Sequence, residues 1–79
     1  MKKIDIYFGK TNAYNAEIFV NVTDNKVIVL DTTSSLEELK EKYSSLSSIN
    51  NFYDISEEIF DLDVLNDFEL TKITSILEN

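Results

Sequence analysis

EIFVNVTDNKVIVLD, residues 17–31, consists of two β-branched runs separated by a polar segment. Val, Ile and Phe favour strands, and Asp-Asn tolerates the positive φ values of a two-residue hairpin loop. With Asp24-Asn25 as that loop, the sequence predicts a β-hairpin in which Val22 faces Val27. Both faces of this hairpin are apolar, so other parts of the chain are expected to cover it.

The residues before the hairpin predict one more strand. Lys3 to Phe8 alternates between polar and apolar side chains, which is typical of a half-buried strand. The stretch 9–16 is polar and contains the single glycine, as expected of a loop. The first strand and the hairpin are therefore predicted to form an antiparallel β-meander, and a sheet this small needs a helical cover.

The second half of the chain shows helical spacing. Ser34 and Ser35 each precede a Glu by three residues, the pattern of a capping box, and an apolar stripe runs on to Leu46. Spacings of three and four recur over 50–62 and from 66 to the C-terminus. The prediction is a single α+β domain over residues 1–79, a three-stranded antiparallel β-meander followed by two to three helices packed on the sheet (βββααα). Its predicted core consists of the inward positions Val20, Val22, Val27, Val29, Leu36, Leu39, Ile55, Ile59, Ile73 and Leu77.

Composition excludes several classes of protein. The 79-residue chain has no cysteine and no histidine, so it lacks disulfides, the usual zinc ligands and the commonest general base. No segment has the length and apolarity of a membrane span, and the N-terminus has no signal-peptide pattern. The expected location is the cytoplasm.

Two short motifs fail on their spacing. Gly9-Lys10-Thr11 could end a phosphate-binding loop, but Ile4 stands where the first glycine of that motif belongs. Asp61-x-Asp63 could open a calcium loop, but Leu65 occupies its third ligand position. Neighbouring carboxylates elsewhere lie on predicted exposed arcs, where nothing separates their pKa values as acid–base catalysis requires. The protein is therefore expected not to be an enzyme and to use no metal and no cofactor.

The charge of the chain is strongly asymmetric. Residues 1–30 contain four Lys and three acidic residues, whereas residues 31–79 contain three Lys and twelve acidic residues, which together give the net charge of −8. Such a field repels nucleic acid and anionic membranes and attracts basic proteins. The expected partner is a basic protein of the kind that binds nucleic acid, with no direct nucleic-acid or membrane binding by this chain.

The acidic charge is concentrated between Asp54 and Glu69, a run without a basic residue. On a helix, side chains three and four positions apart lie about 5–6 Å from each other, a spacing of the same order as that of DNA phosphates. Two phenylalanines in the run fit neither predicted apolar stripe and are expected to anchor a partner. The predicted partner-binding residues are Asp54, Glu57, Glu58, Asp61, Asp63, Asp67, Glu69, Phe60 and Phe68. The alternative interpretation is an ordinary solvated helix face.

In size, charge and order of elements, the chain resembles the small acidic proteins with which phages and mobile elements block host defences, anti-CRISPR and anti-restriction proteins among them. The resemblance implies an inhibitor of a host nucleic-acid-handling complex, which would act in the host cell cytoplasm. Two other functions fit the same sequence. One is an antitoxin or immunity protein against a basic toxin, and the other is a small assembly protein that forms a homodimer through the hairpin edge.

Overall fold

One six-stranded mixed β-sheet forms the centre of the molecule in the computed structural model, which describes residues 2–79. The strands are β1 (Lys2–Lys10), β2 (Asn15–Asn21), β3 (Lys26–Thr32), β4 (Ser48–Ile49), β5 (Phe60–Asp61) and β6 (Glu69–Glu78). Their order across the sheet is β4-β6-β1-β2-β3-β5; β4 and β6 are parallel, and the other neighbours are antiparallel. The helical elements are α1 (Leu36–Tyr43) and two 3₁₀ helices, Phe52–Asp54 and Leu62–Asp67. The prediction of a βββααα fold is therefore wrong.

The central hairpin forms where the sequence predicts it, but its loop is longer. Pairing ends at Asn21 opposite Lys26, which leaves four loop residues instead of two. The Asp24 backbone N–H donates to the Asn21 side-chain oxygen at 3.1 Å, and Asn25 adopts a φ of 56°. The register differs from the predicted one by two residues, so each side chain keeps its predicted face. Val22, however, lies in the loop and is 46% exposed instead of buried.

The first predicted helix is present as α1. Ser35 is its N-cap, and both bonds of the capping box join Ser35 to Glu38, at 3.0 and 3.2 Å. The hydrogen bond from the Ser35 backbone N–H lowers the pKa of the Glu38 carboxyl. α1 ends at Tyr43, because the serines that follow compete for backbone hydrogen bonds.

The second predicted helix is replaced by a single 3₁₀ turn and an irregular segment. Asn51 caps the turn by accepting from the Tyr53 backbone N–H at 3.0 Å. Phe52 is fully buried, and Ile55 and Ile59 pack against the same core from an irregular backbone. The chain then pairs with the edge of β3 as β5. Backbone pairing with an otherwise open edge therefore forms a strand where the apolar spacing predicted a helix.

The third predicted helix is the strand β6. It pairs with β1 along its whole length, from Glu69 opposite Lys10 to Glu78 opposite Lys2. Its residues are rich in Thr and Ile, which favour strands, and β1 would otherwise be an open edge. A β-bulge in this pairing brings Ile73 to the same core as Ile76, so two strand residues show a helix-like spacing of three.

The sheet has a separate hydrophobic cluster on each face, which replaces the single predicted core. On the α1 face the buried cluster contains Ile4, Ile6, Phe19, Ile28, Leu39, Tyr43, Phe52 and Ile76. On the opposite face, here called the 3₁₀ face, Ala16, Ile18, Val20 and Val27 pack under the second 3₁₀ helix. Of the predicted core, Val29 packs on the 3₁₀ face, Ile55, Ile59 and Ile73 on the α1 face, Leu36 is half-exposed, and Leu77 is 42% exposed.

Candidate partner-binding surface

Four of the nine predicted partner-binding residues line one groove, where β5 leads into the second 3₁₀ helix. This acidic groove has a volume of about 530 Å³ and is lined by Asp61, Asp63, Asp67, Ile59, Phe60 and Val64. All three aspartates are exposed, whereas the apolar residues are half-buried and form the floor. A groove with carboxylates beside an apolar floor fits a Lys or Arg side chain, whose aliphatic stem needs apolar contact and whose head needs an anion.

The carboxylates of the acidic groove differ in how far they are neutralised. The β3–β5 pairing places Asp61 opposite Lys26, and the Lys26 Nζ lies 2.7 Å from the Asp61 Oδ1. This hydrogen bond and the Lys26 charge lower the pKa of the Asp61 carboxyl, which stays ionised at neutral pH. Asp63 and Asp67 have no salt bridge with any residue in the described part of the chain. They are therefore the groove's two free anions.

A smaller polar depression adjoins the groove at Asp67. It has a volume of about 370 Å³ and is lined by Lys10, Thr11, Asn12, Asp67 and Glu69. Glu69 opens β6 opposite Lys10, so this depression carries both signs of charge.

The other predicted acidic residues do not join the groove. Asp54 ends the first 3₁₀ helix, and Glu57 and Glu58 lie exposed in the irregular segment before β5. The acidic run from Asp54 to Glu69 is thus divided among a 3₁₀ turn, an irregular segment, the short strand β5, a second 3₁₀ helix and the start of β6. The regular helical spacing on which the comparison with DNA phosphates depended is absent.

The two phenylalanines are packed rather than free. Phe60 and Phe68 are half-buried against the cluster on the 3₁₀ face, so the premise that the core does not use them is wrong. Phe68 also meets Tyr14 edge-on, with ring centroids 5.9 Å apart. Phe60 still contributes to the floor of the acidic groove, whereas Phe68 does not line it.

Sequence reasoning missed a depression at the far end of β3. It has a volume of about 470 Å³ and is lined by Tyr14, Asp31, Thr32 and Thr33. The Tyr14 side chain is 42% exposed, and Asp31 lies at the end of the apolar row that includes Val29. The strand alternation of β3 was the available signal, because it places Asp31 and Val29 on the same face.

The buried carboxylates are all partnered. Asp5 accepts from the Ser75 hydroxyl at 2.7 Å and lies 3.5 Å from the Lys72 Nζ. Among residues 2–79, no buried side-chain polar atom is left without a hydrogen-bond partner, and no group of acidic side chains has an arrangement that could hold a metal ion. Asp5 therefore has the geometry of a structural ion pair, which joins β1 to β6.

No protein-family model matches the chain, and searches of curated proteins and of solved structures found no similar protein. Within the described residues, no helix is long and apolar enough to cross a membrane. Function is therefore inferred from the chemistry of the surface.

Proposed function

We propose that this protein is a non-catalytic inhibitor, of anti-CRISPR type, which uses the acidic groove to occupy a basic site on a host nucleic-acid-handling defence complex. The observation that carries the proposal is the groove itself, in which two unpaired aspartates stand beside an apolar floor on a chain of net charge −8. The proposed place of action is the cytoplasm of the host cell.

Charge and apolar contact have different tasks in this proposal. Long-range attraction raises the association rate with a basic site and is screened over about 8 Å at physiological ionic strength. Short-range contact holds the complex, because a Lys or Arg stem covers Phe60 and Val64 while its head reaches Asp63 or Asp67. The sites that defence nucleases use for DNA or RNA contain such basic side chains, since phosphate contacts dominate nucleic-acid affinity.

The test is competition for a fluorescent DNA duplex bound to purified CRISPR effectors and restriction endonucleases. We expect the protein to displace the duplex from at least one of them, with a potency that falls as salt rises. The double variant Asp63→Asn/Asp67→Asn should lower potency at least tenfold. The control Glu37→Gln/Glu41→Gln changes the net charge equally at exposed positions of α1 and should retain potency.

Two results would contradict the proposal. One is an equal loss of potency in the groove variant and in the α1 variant, which would leave only the net charge as the cause. The other is an effector that binds its nucleic acid and this protein at once with no loss of affinity for either. A toxin nuclease in the same panel separates the inhibitor from an antitoxin or immunity protein, which would use the same groove on a different target.

A further inference from the structure

Two strands of the sheet have outer edges that are only partly paired. β5 covers the first two residues of β3, and β4 covers Leu77 and Glu78 of β6. Among the described residues, Ile28–Thr32 of β3 and Glu69–Ile76 of β6 therefore have no outer strand. Unpaired backbone N–H and C=O groups of this kind are a template for the addition of another strand.

The two open edges differ in protection. β6 carries Lys72 in its open stretch and a β-bulge beside it, and these are two devices that block strand addition. The open stretch of β3, Ile28–Thr32, contains no Lys and no Pro, and its register with β2 is uninterrupted. The one charged side chain in this stretch is Asp31, so the edge of β3 has fewer of these protective devices than the edge of β6.

The alternation of strand hydrogen bonds determines which groups of β3 point outward. The Val22 N–H donates to the Lys3 carbonyl. The backbone N–H and C=O groups of the odd-numbered residues of β1 therefore point towards β2. The registers of β1 with β2 and of β2 with β3 then place the backbone N–H and C=O groups of the even-numbered residues of β3 towards β2. The backbone groups of Val29 and Asp31 therefore point away from the sheet.

The side chains beside this edge favour a basic occupant. The Asp31 carboxylate is exposed and has no salt bridge within residues 2–79. It shares a depression with the exposed Tyr14 ring, which Phe68 holds edge-on. A residue opposite Asp31 on an added strand would have its Cβ about 5 Å away, so a Lys or Arg there meets both a carboxylate and an aromatic ring.

We propose that an extended basic segment of the partner adds to the sheet along Ile28–Thr32. Its backbone bonds to Val29 and Asp31, and one Lys or Arg of the segment binds between Asp31 and Tyr14. This inference rests on the proposed function, because the same basic partner is bound, and it adds the mode of binding. A second copy of this chain fits less well, because its β3 brings another Asp31 and its net charge of −8 repels the first copy.

The test uses the full ¹⁵N-labelled protein and a defined probe, the peptide acetyl-Lys-Thr-Lys-Val-Lys-Thr-amide. We expect saturating peptide to slow amide hydrogen exchange at Val29 and Asp31 at least tenfold, while exchange at Ser75 on the open edge of β6 stays unchanged. The acidic counterpart acetyl-Glu-Thr-Glu-Val-Glu-Thr-amide should give no protection.

Three variants separate the contributions. Asp31→Asn removes the charge and should weaken peptide binding about tenfold, with protection retained at saturation. Asp31→Pro also removes the outward N–H and should abolish protection at Val29. Ser75→Pro makes the matching backbone change on β6 but also removes the hydroxyl that donates to Asp5. Thermal unfolding therefore checks first that each variant is folded, and folded Ser75→Pro should bind the peptide as the wild type does.

Several results would overturn the inference. The inference fails if saturating peptide protects neither the Val29 nor the Asp31 amide. It also fails if folded Ser75→Pro is the one variant that loses peptide binding. Protection of Val29 that rises with protein concentration in the absence of peptide would identify a second copy as the occupant.

Failure of the β3 edge as a binding site and failure of the proposed function are distinguishable. DNA displacement that is unaffected by Asp31→Pro but lost in Asp63→Asn/Asp67→Asn keeps the function and rejects the edge. Peptide protection without DNA displacement from any effector keeps the β3 edge as a binding site and rejects the proposed function.

Discussion

The hydroxyl of Tyr43, near the end of α1, donates to the carboxylate of Glu17 on β2, and both side chains are buried between the helix and the sheet. The Lys42 Nζ lies 3.1 Å from the same carboxylate, so Glu17 has a charged and a neutral partner. A buried carboxylate without partners would be costly, and this pairing makes the position of α1 on the sheet specific.

Tyr43→Phe should lower the free energy of unfolding by about 1–3 kcal/mol, because it removes a hydrogen bond to a buried charged group. Urea titration of the two proteins measures the difference. Lys42→Met is the matched control; since the Lys42 side chain is 56% exposed, its loss should cost less, under about 1 kcal/mol. An unchanged urea midpoint in Tyr43→Phe would show that the bond does not stabilise the fold.

Alkaline pH should destabilise the protein through Tyr43. Burial, and then the hydrogen bond to Glu17, raise the pKa of the Tyr43 hydroxyl above its usual value of about 10. A raised pKa means that the neutral form is favoured in the folded state, so this stability is present below about pH 10 and lost as the pH rises further. The difference in unfolding free energy between wild type and Tyr43→Phe should therefore shrink above pH 10. A constant difference up to pH 12 would contradict this linkage.

Acid should destabilise the protein through Asp24 in the hairpin loop. The Lys2 ammonium at 2.7 Å and the Tyr53 hydroxyl at 2.8 Å lower the pKa of the Asp24 carboxyl. Because the folded pKa is depressed, this contribution is present above about pH 4 and is lost as the pH falls through the folded value. Asp24→Asn should therefore lower the thermal midpoint at pH 7 and flatten its decline below pH 4. Asp63→Asn, at an exposed aspartate, is the control and should leave both unchanged.

Gly9→Ala should destabilise the fold through close packing. A Cβ at position 9 would clash with the Ile18 Cδ1 and lie 3.0 Å from the Phe68 Cδ1. Ile18 is fully buried, so it has little space to move, and overpacking of this kind costs about 1–3 kcal/mol. Chemical denaturation measures the loss. A second variant, Gly9→Ala/Ile18→Val, shortens the clashing side chain and should recover part of it, whereas an equally unstable double variant would point to another cause.

Features that depend on near neighbours could be predicted from the sequence. The cap of α1 needs only Ser35 and Glu38, and the hairpin needs two β-branched runs with a polar turn between them. The exact register could not be predicted, because the bond between Asn21 and the loop competes with a two-residue turn. Local chemistry therefore predicted the two hairpin strands, their faces and the start of α1, whereas the hydrogen bond of the Asn21 side chain to the loop accounts for the different register.

Features that depend on distant partners could not be predicted. β6 is a strand because β1 has a free edge, and the bulge brings Ile73 and Ile76 to one core with the spacing of a helix. The acidic residues were predictable as surface residues, but their grouping was not. Asp61 and Asp67 line one groove because β5 pairs with β3 and leads directly into the second 3₁₀ helix, at the end of which Asp67 lies.

Phe60 and Phe68 have the same place in the sequence-based prediction but different surroundings in the structure. Phe68 packs on the 3₁₀ face and against Tyr14 but does not line the acidic groove. Phe68→Ala should therefore lower the free energy of unfolding by about 2 kcal/mol. It should leave unchanged the rate at which the protein dissociates from an effector whose DNA it displaces. Phe60→Ala should lower stability and also speed dissociation, because Phe60 contributes to both the core and the groove floor. Biolayer interferometry below the unfolding temperature of both variants measures these rates. Faster dissociation of Phe68→Ala, at a rate equal to that of Phe60→Ala, would show that the partner contacts more of the 3₁₀ face than the groove.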